Sequence, residues 1–600
     1  MKTSFGIFLS LFFATVLTTG CSGAGTGSGD VSDSMLPAFM ADEMLAAGEK
    51  TSVKIKTGRN VDPGFASYLS SVLQDRISER ADVDFNGPDA QLELVLKLDK
   101  TLGEECYEIG KRKNKVIIAG GSNAGLLYGA GRFLHTSGYR DMKFYPSVWQ
   151  GRSCPTSGIR GVYCATHFFN WYQVAPAAEI EKYVEDLALW GINSLNVVYP
   201  VINLYGFEDP ETEKAFGQMD VIFAAAKRAG MKIGFMLPAN ADFKNPNLEV
   251  AAVPNPDPAG RRGNHGHNIC PAKPGGTEYI LKNIGALYER MAAHKPDLLC
   301  FWPYDEGGCG CPECHPWGVK GYLPLCEKIA ELARTYNPAT TTILSTWMYD
   351  TPEEGEWQAL TDYFAKNKGE WIDCIMADAH EDFPRYPLEN PVPGDRPLIN
   401  FPEISMWGLG PWGGYGASPL PERFDRLWRQ VKDKVSGGFP YSEGIYEDIN
   451  KVVISQFYWD KDARLSNSLA MYIGYEYDFT CYDLIMEVIG AIEQNHTSAA
   501  VSGRFDAELS LRAWETAQEV DSMLSAARKS AWRWRILHIR AELDAIRYRL
   551  TAEGAGDVAA ALNRDERAVA AMRELIGIFH CKETDDGTYE QHSWVRPPLF

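Results

Sequence analysis

From residue 158 to residue 443 the chain repeats one pattern. A short apolar run ends in polar or aromatic residues, and a stretch with apolar positions three and four apart usually follows. The runs are 158–166, 194–200, 232–240, 298–306, 342–350, 374–380, 398–407 and 437–443. Helical spacing lies between them over 178–190, 211–229, 278–294, 322–336 and 421–435. Short apolar runs alternating with amphipathic segments predict parallel strands joined by crossover helices. Eight such steps over roughly 290 residues suit an α/β fold of the (β/α)8 TIM-barrel type. The interval between the sixth and seventh runs is too short for a full helix, and the loop after the third, 241–277, is long. A doubly wound sheet is the alternative, but no dinucleotide fingerprint follows a strand.

The flanks read differently. In 51–150, residues 52–59 alternate, 65–80 have helical spacing, 92–98 and 115–120 are strand-like, and 124–134 read as a helix. This predicts a small α/β domain before a barrel domain at 151–450. The turn Gly120-Gly121-Ser122-Asn123 precedes a helix, where phosphate could be cradled, yet it lacks the lysine of a phosphate loop and reads as a tight turn. Beyond 450 the amphipathic stretches 465–494, 505–526, 531–551 and 558–579 predict a helical C-terminal domain, 451–600, and a candidate homodimer surface.

Residues 1–20 read as an export signal. Lys2 is followed by a short apolar core, then Thr18-Thr19-Gly20 before Cys21. This core is too short for a helix spanning a bilayer of roughly 30 Å. The small residues before Cys21 resemble a lipobox, which predicts lipidation at Cys21 and a Gly/Ser-rich tether over 21–50. The expectation is a bacterial lipoprotein, periplasmic or at the cell surface, touching the membrane through its lipid only. A net charge of −20 disfavours a nucleic-acid partner. Of 13 cysteines, those behind Cys21 fall in an oxidising compartment where some pair.

In a barrel the chemistry gathers at the C-terminal strand ends, and here these are acidic. The fourth run ends in Trp302-Pro303-Tyr304-Asp305-Glu306-Gly307, and the sixth leads through Asp378, His380 and Asp382. The seventh offers Glu403 then Trp407, and the eighth Tyr441-Ser442-Glu443. The first contributes His167, Asn170 and Trp171. Hydrolysis of a glycosidic bond needs one carboxylic acid to protonate the leaving oxygen and, unless the substrate's acetamido group attacks, a second carboxylate as base or nucleophile. Glu306, among aromatics and beside another acid, is the expected general acid. Alternation along the strand turns Asp305 the other way. The second carboxylate is Asp378, Asp382, Glu403 or Glu443, although Glu443, Glu447 and Asp448 could instead charge a helix N-terminus. Trp302, Tyr304, Trp347, Trp407, Trp412 and Tyr441 form the expected sugar platform. Arg262, His265 and His267, in Arg261-Arg262-Gly263-Asn264-His265-Gly266-His267-Asn268, are candidate clamps for a carboxylate or hydroxyls.

Cys309-Gly310-Cys311-Pro312-Glu313-Cys314-His315 offers four soft ligands that zinc would accept. Zinc sites usually draw two pairs from separate segments, and no second CxxC exists. The string is therefore read as a disulfide-knotted loop, with no metal and no cofactor assigned.

At these residues the chain resembles known families. Lys115-Val116-Ile117-Ile118-Ala119-Gly120-Gly121 and Ala124-Gly125-Leu126-Leu127-Tyr128-Gly129, before a barrel opening Gly158-Ile159-Arg160-Gly161, resemble α-glucuronidases and β-N-acetylhexosaminidases over about residues 50–450. Asp305-Glu306 is similar to the hexosaminidase pair, which implies Glu306 as acid and Asp305 positioning an acetamido group. Asp305-Glu306-Gly307 with Glu381-Asp382-Phe383-Pro384-Arg385 looks like the α-glucuronidase pattern. That implies an Asp after strand six and a Glu after strand seven activating water; Glu403 is on the right strand, but its surroundings depart from the pattern. The resemblance implies an exo-acting glycoside hydrolase removing a terminal uronic or N-acetylated sugar from an extracytoplasmic glycan. A non-catalytic carbohydrate-binding lipoprotein, or a metal-dependent enzyme using the cysteine string, are the competing readings.

Overall fold

The computed structural model describes residues 51–85, 87, 90–167, 170–255, 266–305, 307–351, 354–379, 382–405 and 417–580, with two short strands at Lys582–Glu583 and Tyr589–Glu590. Cys21, Arg262, His265, Glu306, Trp407 and Trp412 lie outside the described residues.

A strand falls on each of the eight apolar runs: Ile159–Cys164, Ser194–Val198, Lys232–Pro238, Leu298–Trp302, Thr341–Ser345 (starting one residue before its run), Cys374–Ala379, Leu398–Pro402, and an eighth in two pieces, Gly437–Gly438 and Tyr441–Ser442. Every neighbouring pair is parallel, and the first strand pairs with both the second and the eighth, closing the barrel. The strands are fully or almost fully buried, as expected where helices cover the outside of a parallel sheet.

Closure demands glycine at two points. A Cβ on Gly161 would stand 2.2 Å from the Phe439 ring, and one on Gly438 would stand 2.2 Å from the Asn400 carbonyl oxygen. Phe439, fully buried, thereby wedges between the two pieces of the eighth strand. Pro440 follows it and has no N–H to give the ladder.

Several strands end earlier than the apolar pattern suggests. The fourth stops at Trp302, because Pro303 cannot donate a ladder bond. Asp305 then adopts φ 70°, so strand alternation does not set its direction. The fifth stops at Ser345, and Met348 and Asp350 beyond it have φ 61° and 59°. Left-handed conformations cost a non-glycine residue free energy and cluster at functional rims.

The crossover helices include Ala177–Leu189, Pro210–Arg228, Gly276–Arg290, Tyr322–Tyr336, Glu356–Ala365 and Pro421–Val431, while the described residues between strands six and seven form a short helix, Arg385–Glu389, and a 3-10 turn, Pro393–Asp395. The helix after the eighth strand, Asp448–Trp459, is buried at all twelve positions. It is held on several sides: Trp459 packs on Tyr107 and Tyr128, Gln456 donates to the Trp190 carbonyl, and Tyr458 donates to Asn400 Oδ1.

The N-terminal region is a six-stranded mixed sheet flanked by helices Pro63–Ser78 and Asn123–His135. It includes an antiparallel strand, Tyr107–Arg112, beyond those the pattern predicts. A disulfide joins Cys106 to Cys154. The glycine-rich turn ends in Ser122, which caps the second helix by accepting from Ala124 N. The C-terminal region is helical, but the predicted 465–494 helix breaks into Leu465–Glu476 and Tyr482–Ser502. Asp478 causes the break by accepting from Thr480 N at 2.9 Å, an Asx turn competing with the helix.

A buried ionic network ties the regions together. Arg533 of the C-terminal helix Trp532–Ala552 donates to Asp448 (2.7 Å) and Asp186 (3.1 Å). Arg76 of the N-terminal region donates to Asp186 (2.8 Å), and Arg80 reaches Glu476 (2.9 Å). Among the described residues, no helix is long and apolar enough to cross a membrane.

Candidate active site

The side chains at the C-terminal ends of strands one, four, five, seven and eight form a connected aromatic floor. Trp302 stacks on Trp347 at 5.2 Å and meets Phe401 at 5.0 Å. Tyr163 touches Trp302 (6.1 Å), Phe401 (5.1 Å) and Tyr441 (5.4 Å). His167 sits edge-on to Tyr163 at 6.5 Å. The structure thus brings together Trp302, Trp347 and Tyr441, three of the residues named for the sugar platform. Tyr163 and Phe401 complete the group, although within an apolar run neither differs from an ordinary core residue.

Two carboxylates stand beside this floor. Glu403 and Glu443, at the ends of strands seven and eight, are 1% and 0% exposed. Ser405 links them: its N–H donates to Glu403 Oε1 at 2.6 Å, and its hydroxyl oxygen accepts from Glu443 N at 3.2 Å. The Tyr441 hydroxyl donates to Glu443 Oε1 at 2.5 Å. Burial, then the charges of Glu443, Tyr163 and Glu403, push the Tyr441 hydroxyl pKa far up, so it remains a donor at neutral pH. Arg423, from helix Pro421–Val431, donates to the Glu403 carbonyl at 3.2 Å and holds the end of strand seven.

The neighbouring acids have other partners. Glu447 pairs with Lys451 at 3.1 Å, both buried, and also accepts from the Ser442 hydroxyl. Burial raises its pKa while Lys451 opposes the shift. Asp448 accepts from Tyr183, Tyr472 and Arg533. Both belong to the scaffold, and Glu443 is the acid of this segment turned toward the aromatic floor.

On strand six, Asp378 is half-buried and pairs with Phe401 in the ladder. Asp305 is half-buried just past strand four. Asp382 is exposed and accepts from Gln430 at 3.4 Å. Tyr304 is fully buried away from the floor, donating to Glu356 and accepting from Gly318 N at 3.0 Å. Asn170 caps the short helix Trp171–Val174, and its Nδ2 donates to the Ala165 carbonyl at 2.6 Å. Trp171 packs on Tyr172 and Tyr183. His267 is exposed and lies opposite Asp242 in a two-residue antiparallel ladder. Chain position made these residues look like rim residues, whereas local capping and packing account for Tyr304, Asn170 and Trp171.

The cysteine string also departs from expectation. Cys309, Cys311 and Cys314 carry no disulfide; they gather, buried, with Cys270 from the loop after strand three.

A closed parallel barrel with a mixed sheet before it and helices after it is a fold also found in solved glycoside hydrolases. The chain shares that fold with a GH115 4-O-methyl-α-glucuronidase with specificity for decorated arabinogalactans (TM-score 0.57, 11% identity, 88% of this chain and 76% of that one). It shares it also with a family 89 glycoside hydrolase from Clostridium perfringens (TM-score 0.56, 13%, 87% and 67%). A third is a GH138 enzyme targeting pectin rhamnogalacturonan II (TM-score 0.52, 12%, 91% and 76%). No family model matches the chain, and no curated protein matches its sequence.

Proposed function

We propose that this chain is a glycoside hydrolase that removes a terminal uronic or N-acetylated sugar from a glycan, acting from the exo end. Glu306 protonates the leaving glycosidic oxygen. Glu403 takes a proton from the water that attacks the anomeric carbon, so that the bond to the leaving oxygen breaks as the new C–O bond forms. The products are the free sugar and the shortened glycan. The observation that carries this reading is the pairing of buried Glu403 and Glu443 around Tyr441, beside an aromatic floor that reaches Trp302, three residues before Asp305. Aromatic faces stack on sugar C–H surfaces, and a dry site strengthens proton transfer between carboxylates and substrate. Asp305 orients a polar substituent of the sugar. The substrate class follows the neighbours, whose names include a glucuronidase and an enzyme bound to GlcNAc-α-1,4-galactose.

The cellular setting proposed is that of an exported lipoprotein anchored through Cys21, with its glycan outside the cytoplasm. The test is a panel of defined glycans and aryl glycosides followed by NMR, which returns sugar, anomer and stereochemical course together. Release of a uronic or N-acetylated sugar by the wild type, lost in Glu306→Gln, is the expected result. Glycan binding without turnover would replace the hydrolase with a binding protein.

A further inference from the structure

We propose that Cys270, Cys309, Cys311 and Cys314 bind one Zn²⁺ ion as a tetrathiolate site that pins the loop after strand three to the loop carrying Asp305 and Glu306. The four sulfurs all lie within 4.8 Å of one another, and all four residues are buried. Cys270 Sγ is 3.7 Å from Cys311 Sγ and 3.9 Å from Cys314 Sγ. A tetrahedral zinc with Zn–S bonds of about 2.3 Å sets its sulfurs about 3.8 Å apart. A disulfide would draw two of them to about 2.05 Å, and none of the four is bonded so, although Cys106 and Cys154 of this chain are.

The backbone is arranged as a ligand-presenting turn. The N–H groups of Cys314 and His315 both donate to the Cys311 carbonyl, at 3.0 and 2.9 Å, folding C-x-x-C into a knuckle. Gly310 N donates to the Val253 carbonyl at 2.8 Å, so the backbone between Cys309 and Cys311 is tied to the loop after strand three. Hydrogen bonds of this kind orient the ligand-bearing segments around a metal centre. The two loops are also clamped beside the ligands. Asn240 Nδ2 donates to Ile269 O (2.7 Å) and Gly308 O (2.9 Å), while its Oδ1 accepts from Gly308 N (2.9 Å). Ile269 and Gly308 adjoin Cys270 and Cys309, so both segments are registered where the ion binds.

Soft thiolates select zinc over magnesium or calcium. Four protein ligands leave no open position, so the ion is structural and activates no water. Its effect on any chemistry is indirect, through the loop that begins at Asp305, and the site does not depend on the hydrolase reading.

The test uses the full chain purified without chelators from zinc-supplemented growth. Elemental analysis is expected to find about one zinc per chain, as for a single closed site. Cys270→Ser and Cys311→Ser should each lose it, and Cys374→Ser, a buried free thiol elsewhere, should retain it. Because a ligand variant can misfold, wild type grown on cobalt supplies a second measurement, with the visible d–d bands of a tetrahedral cobalt tetrathiolate expected. Stoichiometric iron in place of zinc, a metal-free protein, or disulfides among these four cysteines on alkylation mass spectrometry would each overturn the proposal.

Discussion

Trp302 and Phe401, on the fourth and seventh strands, meet inside the barrel with ring centroids 5.0 Å apart. Their contact carries the aromatic floor across the barrel, from the strand that leads to Asp305 to the strand that leads to Glu403. Trp302→Ala is expected to cost about 3–5 kcal/mol of stability, the usual price of emptying a buried indole site. Trp302→Phe should preserve folding and raise KM more than it lowers kcat. Denaturant unfolding and steady-state kinetics on the identified glycan check both, and unchanged KM in the Phe variant would remove Trp302 from the sugar platform.

Glu403→Gln and Asp305→Asn separate two modes of attack. If Glu403 activates water, its amide variant should lose roughly 10²–10⁴-fold in kcat while folding normally, the usual range for a general base. If the substrate's acetamido group attacks instead, Asp305→Asn should suffer that loss and Glu403→Gln should remain active. Kinetics with N-acetylated and uronic substrates in parallel distinguish the two.

Arg533 lies at the meeting point of three regions, and its removal takes a charged donor from both Asp448 and Asp186, leaving Asp186 with Arg76 and Asp448 with the hydroxyls of Tyr183 and Tyr472. Arg533→Met is expected to destabilise the protein by about 3–5 kcal/mol, as when one member of a buried ion pair is lost. Adding Asp448→Asn should return part of that loss. Thermal unfolding of the single and double variants measures it, and simple additivity would mean the pair is not coupled.

Stability should depend on pH through Glu493. This buried carboxylate accepts from Glu422 N (3.1 Å) and Arg423 N (2.8 Å), and burial pushes its pKa up to about 7. A raised carboxylate pKa means the folded state binds the extra proton. Its stabilising contribution is full below pH ~4.5 and is lost as pH rises to about 7, up to about 3 kcal/mol at 1.36 kcal/mol per unit. Glu493→Gln should flatten that slope in melting curves collected from pH 4.5 to 8. An identical slope in wild type and variant would assign the pH dependence elsewhere.

The barrel was legible in the sequence because its buried strands leave eight mainly apolar runs, most of them followed by the amphipathic spacing of a crossover helix. Their ends were less so: Pro303 and Pro440 cut hydrogen-bond ladders that the apolar pattern continues through. The rim acids could be nominated by position, but the distinction between Glu443 and its neighbours Glu447 and Asp448 depends on Lys451, Tyr183, Tyr472 and Arg533. Those partners come together only in three dimensions. Cys270 was missed as a companion of Cys309, Cys311 and Cys314 for the same reason. It stands alone in the sequence, and a long loop must fold back before its thiol joins theirs.

The helix Asp448–Trp459 has no side left for water. A chain cut at either flank of the barrel would present Trp459, Phe457 or Ile449 to solvent along a continuous greasy seam. The barrel is therefore not a detachable module. Recombining it with foreign neighbours, or expressing it by itself, would trade a folded protein for an aggregating fragment.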